Sequence, residues 1–371
     1  MLKTKIIAMY LPQYHCIPEN DEFWGKGFTD WVTVKKASSL FEWHNQPRVP
    51  LNDNYYDLSQ KKHIKWEVDL AKEAGVYGFG VYHYWFNNDK NILTKPAEII
   101  RDNKDININY FLAWDNCSWV RSWSNVAGNA WSPLADKKPE NKGPQVLIPY
   151  ILGGEKDWEN HYNSLRDHFK EDRYIKINGK PLFFILGYSP EIAKMADYWN
   201  MLAKKDGFEG VQIVYRNLEF KNIPNNYVKF NYEPCFSGWT KNDIFSRVEN
   251  KFKLLFRIPK KLRVFDYDVV WKKILGNVKR QQNEAIFAGC FVRYDDTPRR
   301  GKQGIIVKGE SPEKFKKYME ELLNLCQAYN KEYVFLTAWN EWGEGAYLEP
   351  DTTDGFAYIK ALRAAIDSLS K

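Results

Sequence analysis

Long apolar runs are missing from this chain. Nowhere in its 371 residues do about 18 apolar side chains follow one another, so no membrane-spanning helix is expected. Cysteine is sparse: the five (Cys16, Cys117, Cys235, Cys290, Cys326) are odd in number and form no C-x-x-C pair. That pattern excludes a disulfide framework and a zinc site and fits a reducing compartment, so a cytoplasmic location is expected. Nor does one sign of charge dominate. With 54 Lys and Arg against 47 Asp and Glu, the net +7 is mild for this length and nowhere forms the basic stripe of a nucleic-acid binder. No nucleic-acid partner is expected. G-x-S-x-G, G-x-x-x-x-G-K-[ST] and H-E-x-x-H are absent, no G-x-G-x-x-G follows a strand, and the six histidines lack ligand spacing. Neither a metal nor a cofactor is expected. No repeat, low-complexity tract or composition shift marks a linker, and residues 1–371 read as one domain. The opening MLKTKIIAMYLPQYH shows no small-residue cleavage site and reads as a first strand.

Aromatic side chains are in excess. The 15 Trp, 23 Tyr and 22 Phe make up 16% of the chain, against roughly 8–9% in an ordinary protein. So many flat side chains need flat partners: sugar rings, bases or an unusually aromatic core. With bases set aside, sugars lead. A hydrophobic share of 44% and a mean hydropathy of −0.58 suit a chain that buries a core and remains in water.

Eight short apolar runs of the kind buried in parallel sheets recur: Lys5–Tyr10, Tyr77–Tyr84, Asn107–Trp114, Pro181–Gly187, Val211–Tyr215, Tyr227–Tyr232, Ile286–Val292 and Tyr333–Trp339. Helical spacing lies between most of them, at 60–74, 158–169, 190–205 and 271–282, and again where Phe315, Met319, Leu322 and Cys326 step behind Ser311 and Pro312. The last segment repeats it with Ile359, Leu362, Ile366 and Leu369. Between the fifth and sixth runs only 216–226 remain, with Pro224 inside, so that crossover holds at most a degenerate helix. Strand and helix alternating eight times predict a (β/α)8 TIM barrel with long loops after strands one, three and six.

Active sites of such barrels form at the carboxyl ends of the strands. The eighth run ends in TAWNEWGEGAYLEPD, which delivers Asn340, Glu341 and Glu344 among Trp339, Trp342, Tyr347 and Glu349. Glycoside hydrolysis needs two carboxyl groups flanking the scissile bond, and a tryptophan wall would raise one glutamate's pKa so that it acts as an acid. Gly343 and Gly345 would let backbone approach a ligand. The bland alternative is a solvated surface loop. Asn340 is a candidate sugar hydrogen-bonder. Other strand ends share this composition: Tyr10, Gln13, Tyr14, His15, Trp24 and Trp31 after the first; Tyr82, His83, Tyr84, Trp85 and Asn87 at the second; Trp114, Asp115, Asn116, Trp119, Arg121 and Trp123 at the third. Rings stack on sugar faces while amides and acids pair with hydroxyls. After the seventh, VRYDDTPRRGKQG brings Tyr294, Asp295, Asp296, Arg299 and Arg300, which either hold an anion or satisfy one another. The basic, apolar segment 251–265 invites a membrane-surface reading, but Pro259 breaks the helix that would need, and a solvated loop is favoured.

MYLPQYH, ENDEFWGKGFTDW, YHYWF, DDTPRR and AWNEWGEGAYLEPD together resemble the WbsX family of bacterial surface-polysaccharide clusters, related to glycoside hydrolase family 99, the endo-α-mannosidases. The resemblance covers nearly the whole chain. It implies a barrel and metal-independent chemistry on a glycan, with two glutamates separated by two residues matching Glu341 and Glu344. By that match Glu344 is the general acid and later base, and Glu341 deprotonates the sugar's 2-hydroxyl so that it forms an anhydro-sugar intermediate, with net retention. Where the family usually has W-A-N-E-N-W, this chain reads WDNCSW, with Asp115 and Cys117 in place of alanine and glutamate. That departure bears on sugar recognition.

The reading is thus a retaining, endo-acting glycoside hydrolase or transglycosylase on an oligosaccharide or polysaccharide such as O-antigen or capsule. Tyr10, His83 and Asn340 would orient the sugar. Two alternatives stand: a glycosyltransferase using a nucleotide-sugar donor, whose diphosphate would need Arg293, Arg299, Arg300 and Lys302, and a non-catalytic carbohydrate-binding protein.

Overall fold

Branched and aromatic side chains fill β1 (Lys5–Tyr10), whose last five residues are buried, as a central parallel strand requires. In the computed structural model, which describes residues 3–121, 145–217, 223–238, 258–259 and 261–369, seven more strands join it. They are β2 (Gly78–Asn87), β3 (Asn109–Trp114), β4 (Lys180–Ile185), β5 (Gln212–Asn217), β6 (Lys229–Asn231), β7 (Ile286–Phe291) and β8 (Tyr333–Thr337). Each pairs in parallel with the next, and β8 returns to β1 with Lys5 opposite Tyr333, closing the ring. The expected (β/α)8 barrel is the fold.

Among the described residues seven helices wrap the ring: α1 (Lys61–Ala74), α2 (Lys95–Asp102), α3 (Glu155–Lys170), α4 (Pro190–Lys205), α5 (Tyr267–Arg280), α6 (Pro312–Ala328) and α7 (Ala357–Ser368). Local chemistry sets their ends. Ser189 and Ser311 cap α4 and α6 by accepting the amides of Ile192 and Lys314, each with proline in the first turn. Gly75 ends α1 in the left-handed region (φ 85°), where a β-carbon would also lie 2.5 Å from Ile366 of α7. Phe315, Met319, Leu322 and Cys326 form the buried face of α6, as their spacing predicts. Two turns of α2 were not foreseen; the run is short, with only Pro96, Ala97, Ile99 and Ile100 buried. The connection between β5 and β6 shows no helix among its described residues, in line with Pro224.

Phenylalanines plug the barrel. Phe184 meets Phe111, Phe230 and Phe335 at centroid distances of 4.4, 4.3 and 4.6 Å. Gly80 makes room for them, since a β-carbon there would come within 2.6 Å of the Phe111 ring. The aromatic excess is therefore largely the core itself, with Trp114, Trp199, Trp271, Trp339 and Trp342 also fully buried. This corrects the expectation that the rings chiefly face sugars. Packed rings cannot stack on a ligand. No helix among the described residues is long and apolar enough to cross a membrane.

Above the plug the loops carry small elements of their own. β1 runs into short helices at Pro18–Trp24 and Asp30–Lys36. Past β8, Asn340–Glu341 pairs antiparallel with Ala346–Tyr347 around a turn at Trp342–Glu344, with Gly345 left-handed at φ 56°. A ribbon of Trp119–Arg121 and Gln145–Ile148 follows β3. Residues 251–257 and 260, most of the basic segment, lie outside the described residues, as do Trp123 and the Arg121 side chain.

Candidate active site

The hairpin after β8 turns Glu341 and Glu344 toward the same cation. Arg299, on the helical turn Thr297–Arg300 after β7, donates from Nη2 to Glu341 Oε1 at 2.5 Å and from Nη1 to Glu344 Oε1 at 3.0 Å. Nη2 also reaches Asp30 Oδ2 at 3.0 Å. One guanidinium thus gathers three carboxyl groups from two loops, a fork geometry that lysine could not supply. The two loop glycines make this approach feasible. A β-carbon at position 343 would lie 2.5 Å from Arg299 and 2.7 Å from Asp30, and one at 345 would lie 3.0 Å from the Asp295 backbone. They admit protein groups rather than a ligand, which corrects the expectation.

Burial divides the pair. Glu341 is inside, while the Glu344 side chain keeps 23% of its surface exposed toward the barrel mouth. Loss of water pushes the Glu341 carboxyl up to about 8; Arg299 opposes this, and Glu344 and Asp30 add to it. Arg299 itself is raised, because three acids outweigh its own desolvation. Phenols ring the acids. Tyr82 and Tyr232, hydroxyl to hydroxyl at 2.7 Å, are both raised by burial and by the nearby glutamates. Tyr84 feels Glu341, and Tyr294 feels Glu344. Tyr14 accepts the Trp342 amide and donates to the Asn340 carbonyl, fastening the turn.

Of the residues expected to line a sugar site, Glu341, Glu344, Tyr84 and Tyr294 meet here, with Gln13 donating to the Tyr84 hydroxyl at 3.0 Å. Others have partners within the protein. Asn340 uses both ends of its amide on Leu11, accepting its N–H at 2.7 Å and donating to its carbonyl at 3.0 Å, so it ties β8 to β1. The Tyr10 hydroxyl donates to Glu67. His83 faces His161 ring nitrogen to ring nitrogen at 2.9 Å and is held neutral, lowered to about 3 by burial. Trp85 stacks on His161, and the Trp114 indole donates to the Trp85 carbonyl. Asn116 exchanges two hydrogen bonds with the Gly187 backbone. Trp31 donates to the Tyr56 carbonyl and packs on Tyr14 and Trp342. Trp342 stacks on Tyr347 at 3.7 Å and donates to Glu349; Tyr347 donates to Asp351. His15 is buried and lowered by desolvation, under the influence of Asp57 and Lys95. The Asn340 and Asn116 amides and the Tyr10 and Tyr347 hydroxyls thus have partners in neighbouring strands and loops.

The reading of the sequence missed Asp30 and Tyr232 and left Arg299 open between holding an anion and pairing internally. Arg299 pairs internally. So does Arg293, bonded to Asp351 and Asp354 and lying over Tyr347 and Tyr358, while Arg300 pairs with Asp296. Asp295 accepts from His44 and Gln46. Among the described residues no group of three or more His, Cys, Asp or Glu side chains has the arrangement of a metal site. A groove of about 500 Å³ at the opposite end of the barrel, lined by Thr4, Lys5, Tyr77 and Asn109, contains no comparable pair of acids.

Known proteins share the family and the fold. The family described as "Glycosyltransferase WbsX" matches residues 6–362. An uncharacterized protein WxcX of Xanthomonas campestris pv. campestris is 28% identical over 378 residues, covering 98% of this chain and 50% of its own, and its counterpart in another strain matches equally. The chain spans about half the length of these curated relatives. Among solved structures, a family 99 endo-α-mannosidase of Bacteroides thetaiotaomicron superposes with a TM-score of 0.55 at 12% identity, over 98% of this chain and 97% of that one. A glycoside hydrolase-like protein gives 0.60 at 11% identity, over 98% and 93%. At such identities the likeness is one of fold.

Proposed function

The chain belongs to the WbsX family, and from that premise we propose that it is a glycan-active enzyme: a retaining, endo-acting glycoside hydrolase or transglycosylase on a bacterial surface polysaccharide such as O-antigen or capsule. One observation carries the reading. Two glutamates from one hairpin converge at the mouth of a barrel of the family 99 fold, clamped by a single arginine and ringed by tyrosine hydroxyls. Arg299 approaches both carboxyls with adjacent nitrogens, which suits the closely spaced pair of retaining chemistry.

In the proposed cycle Glu344, the more exposed of the two, protonates the glycosidic oxygen as it leaves. Glu341 accepts the proton of the sugar's 2-hydroxyl, whose oxygen attacks the anomeric carbon and closes an anhydro-sugar. Glu344 then takes a proton from the incoming water or sugar hydroxyl, whose oxygen reopens the ring, and Glu341 returns its proton to the 2-oxygen. Two inversions give retention. Burial makes Glu341 a stronger base than an ordinary carboxylate, because its value of about 8 lies closer to that of the hydroxyl it must deprotonate. The base must start ionised and the acid protonated, so the pair must carry one proton and turnover is expected to fall at both low and high pH.

A glycosyltransferase is the second reading, favoured by the description of the family. It needs cations for a donor diphosphate, and of the four considered, Arg293, Arg299 and Arg300 already hold carboxylates. Incubating the protein with α-mannans and bacterial O-polysaccharides, with and without nucleotide sugars, and weighing the products separates the readings. Shortened or rearranged chains without a nucleotide sugar are expected. Lengthening only with a nucleotide sugar would reverse the assignment, and ligand-induced thermal stabilisation with unchanged chain length would mean binding alone.

A further inference from the structure

A second pair of glutamates lies behind the first. Glu67 of α1 and Glu349, just past the hairpin, are both fully enclosed. The Tyr10 hydroxyl donates to Glu67 Oε2 at 2.5 Å; the Tyr56 hydroxyl and the Trp342 indole donate to Glu349 Oε2 at 2.9 and 2.6 Å. The other oxygen of each, Oε1, is buried without a donor, and the two carboxyls contact one another. Burial acts most strongly on both carboxyls; after it come each carboxyl on the other, Tyr10 from β1, Tyr56 from the loop before α1, and the Trp339 and Trp342 indoles, while Tyr14 faces the phenols. No cation is among them. Two ionised carboxylates side by side in such surroundings would repel with only neutral donors to offset them. A proton between the two Oε1 atoms removes one charge and supplies the missing donor.

We infer that Glu67 and Glu349 share one proton and that this bond holds the Trp342 turn, and with it the backbone between Glu341 and Gly343, in place. They are positioning residues, since neither faces the barrel mouth. Trp342 is the link: its indole is fixed at one end by Glu349 and along its face by Tyr347, 3.7 Å away. Losing the shared proton at higher pH sets the carboxyls against each other and loosens that anchor. Burial and mutual repulsion agree in direction, raising Glu67 strongly and Glu349 to about 7. The stability the proton provides is complete below the ordinary carboxylate range and is lost as pH rises through about 7.

This inference is independent of any substrate. Its test is thermal unfolding of the full chain between pH 5 and pH 8, comparing wild type with Glu67→Gln and with Glu349→Gln. In either variant the amide N–H replaces the shared proton at every pH. Wild type is expected to lose about 3–6 °C more across this range than either variant, with the variants close to wild type at pH 5. A slope unchanged by both substitutions would overturn the proposal. So would failure of both neutral isosteres to fold at pH 5, because the proposal requires that they fit.

Discussion

The two glutamate pairs use the same side chains in opposite settings. Glu341 and Glu344 share a guanidinium, and one of them opens toward the barrel mouth; Glu67 and Glu349 have only phenols and indoles, and neither opens anywhere. A cation offsets the charge of whichever member is ionised, so protons can leave and return with a substrate. Without one, the pair must retain a proton, and its contribution is structural. Burial alone does not mark a catalytic carboxyl, since Glu341, Glu67 and Glu349 are all buried. The neighbouring charge and a path to the mouth distinguish them.

The largest effect expected from breaking this contrast is at the mouth. Glu344→Gln removes the acid while preserving shape, and should lower kcat by about 10²–10⁴-fold with little change in Tm. Next comes the clamp. Arg299→Met leaves three carboxyls facing one another without a counter-charge and should destabilise the fold by about 3–5 kcal/mol, measured by denaturant unfolding at pH 7, with part of the loss recovered at pH 5 as the acids take up protons. Asn340→Ala deprives the buried Leu11 N–H and carbonyl of partners and should cost about 1–3 kcal/mol. A sugar-orienting role for Asn340 would instead raise KM and leave unfolding unchanged. Smallest is Ser311→Ala, which removes the α6 cap far from both pairs. It should cost about 1 kcal/mol and leave every pH profile as it was.

Much of the barrel is legible in the sequence. The expectations for β1 and α4 coincide with the elements found, because buried parallel strands and capped amphipathic helices have local signatures. The glutamate pair is legible too, since its members are neighbours in one hairpin. The surroundings are not. Arg299 and Asp30 meet across 269 positions, and Asn340 and Leu11 across 329, and no periodicity encodes contacts between loops. Tryptophans and tyrosines near strand ends were equally ambiguous: Trp114, Trp342 and Tyr347 have the residue types of a sugar platform but pack against their neighbours. Residue type indicates what a ring can do, and only packing decides whether its face is free.

The most direct measurement sets the two pairs against each other on one glycan: chain length by mass spectrometry at pH 7 for wild type, Glu344→Gln and Glu67→Gln. Wild type and the rear-pair variant should shorten or rearrange the glycan at comparable rates while Glu344→Gln leaves it intact. Continued cleavage by Glu344→Gln, or equal loss in both variants, would contradict the assignment of chemistry to the front pair.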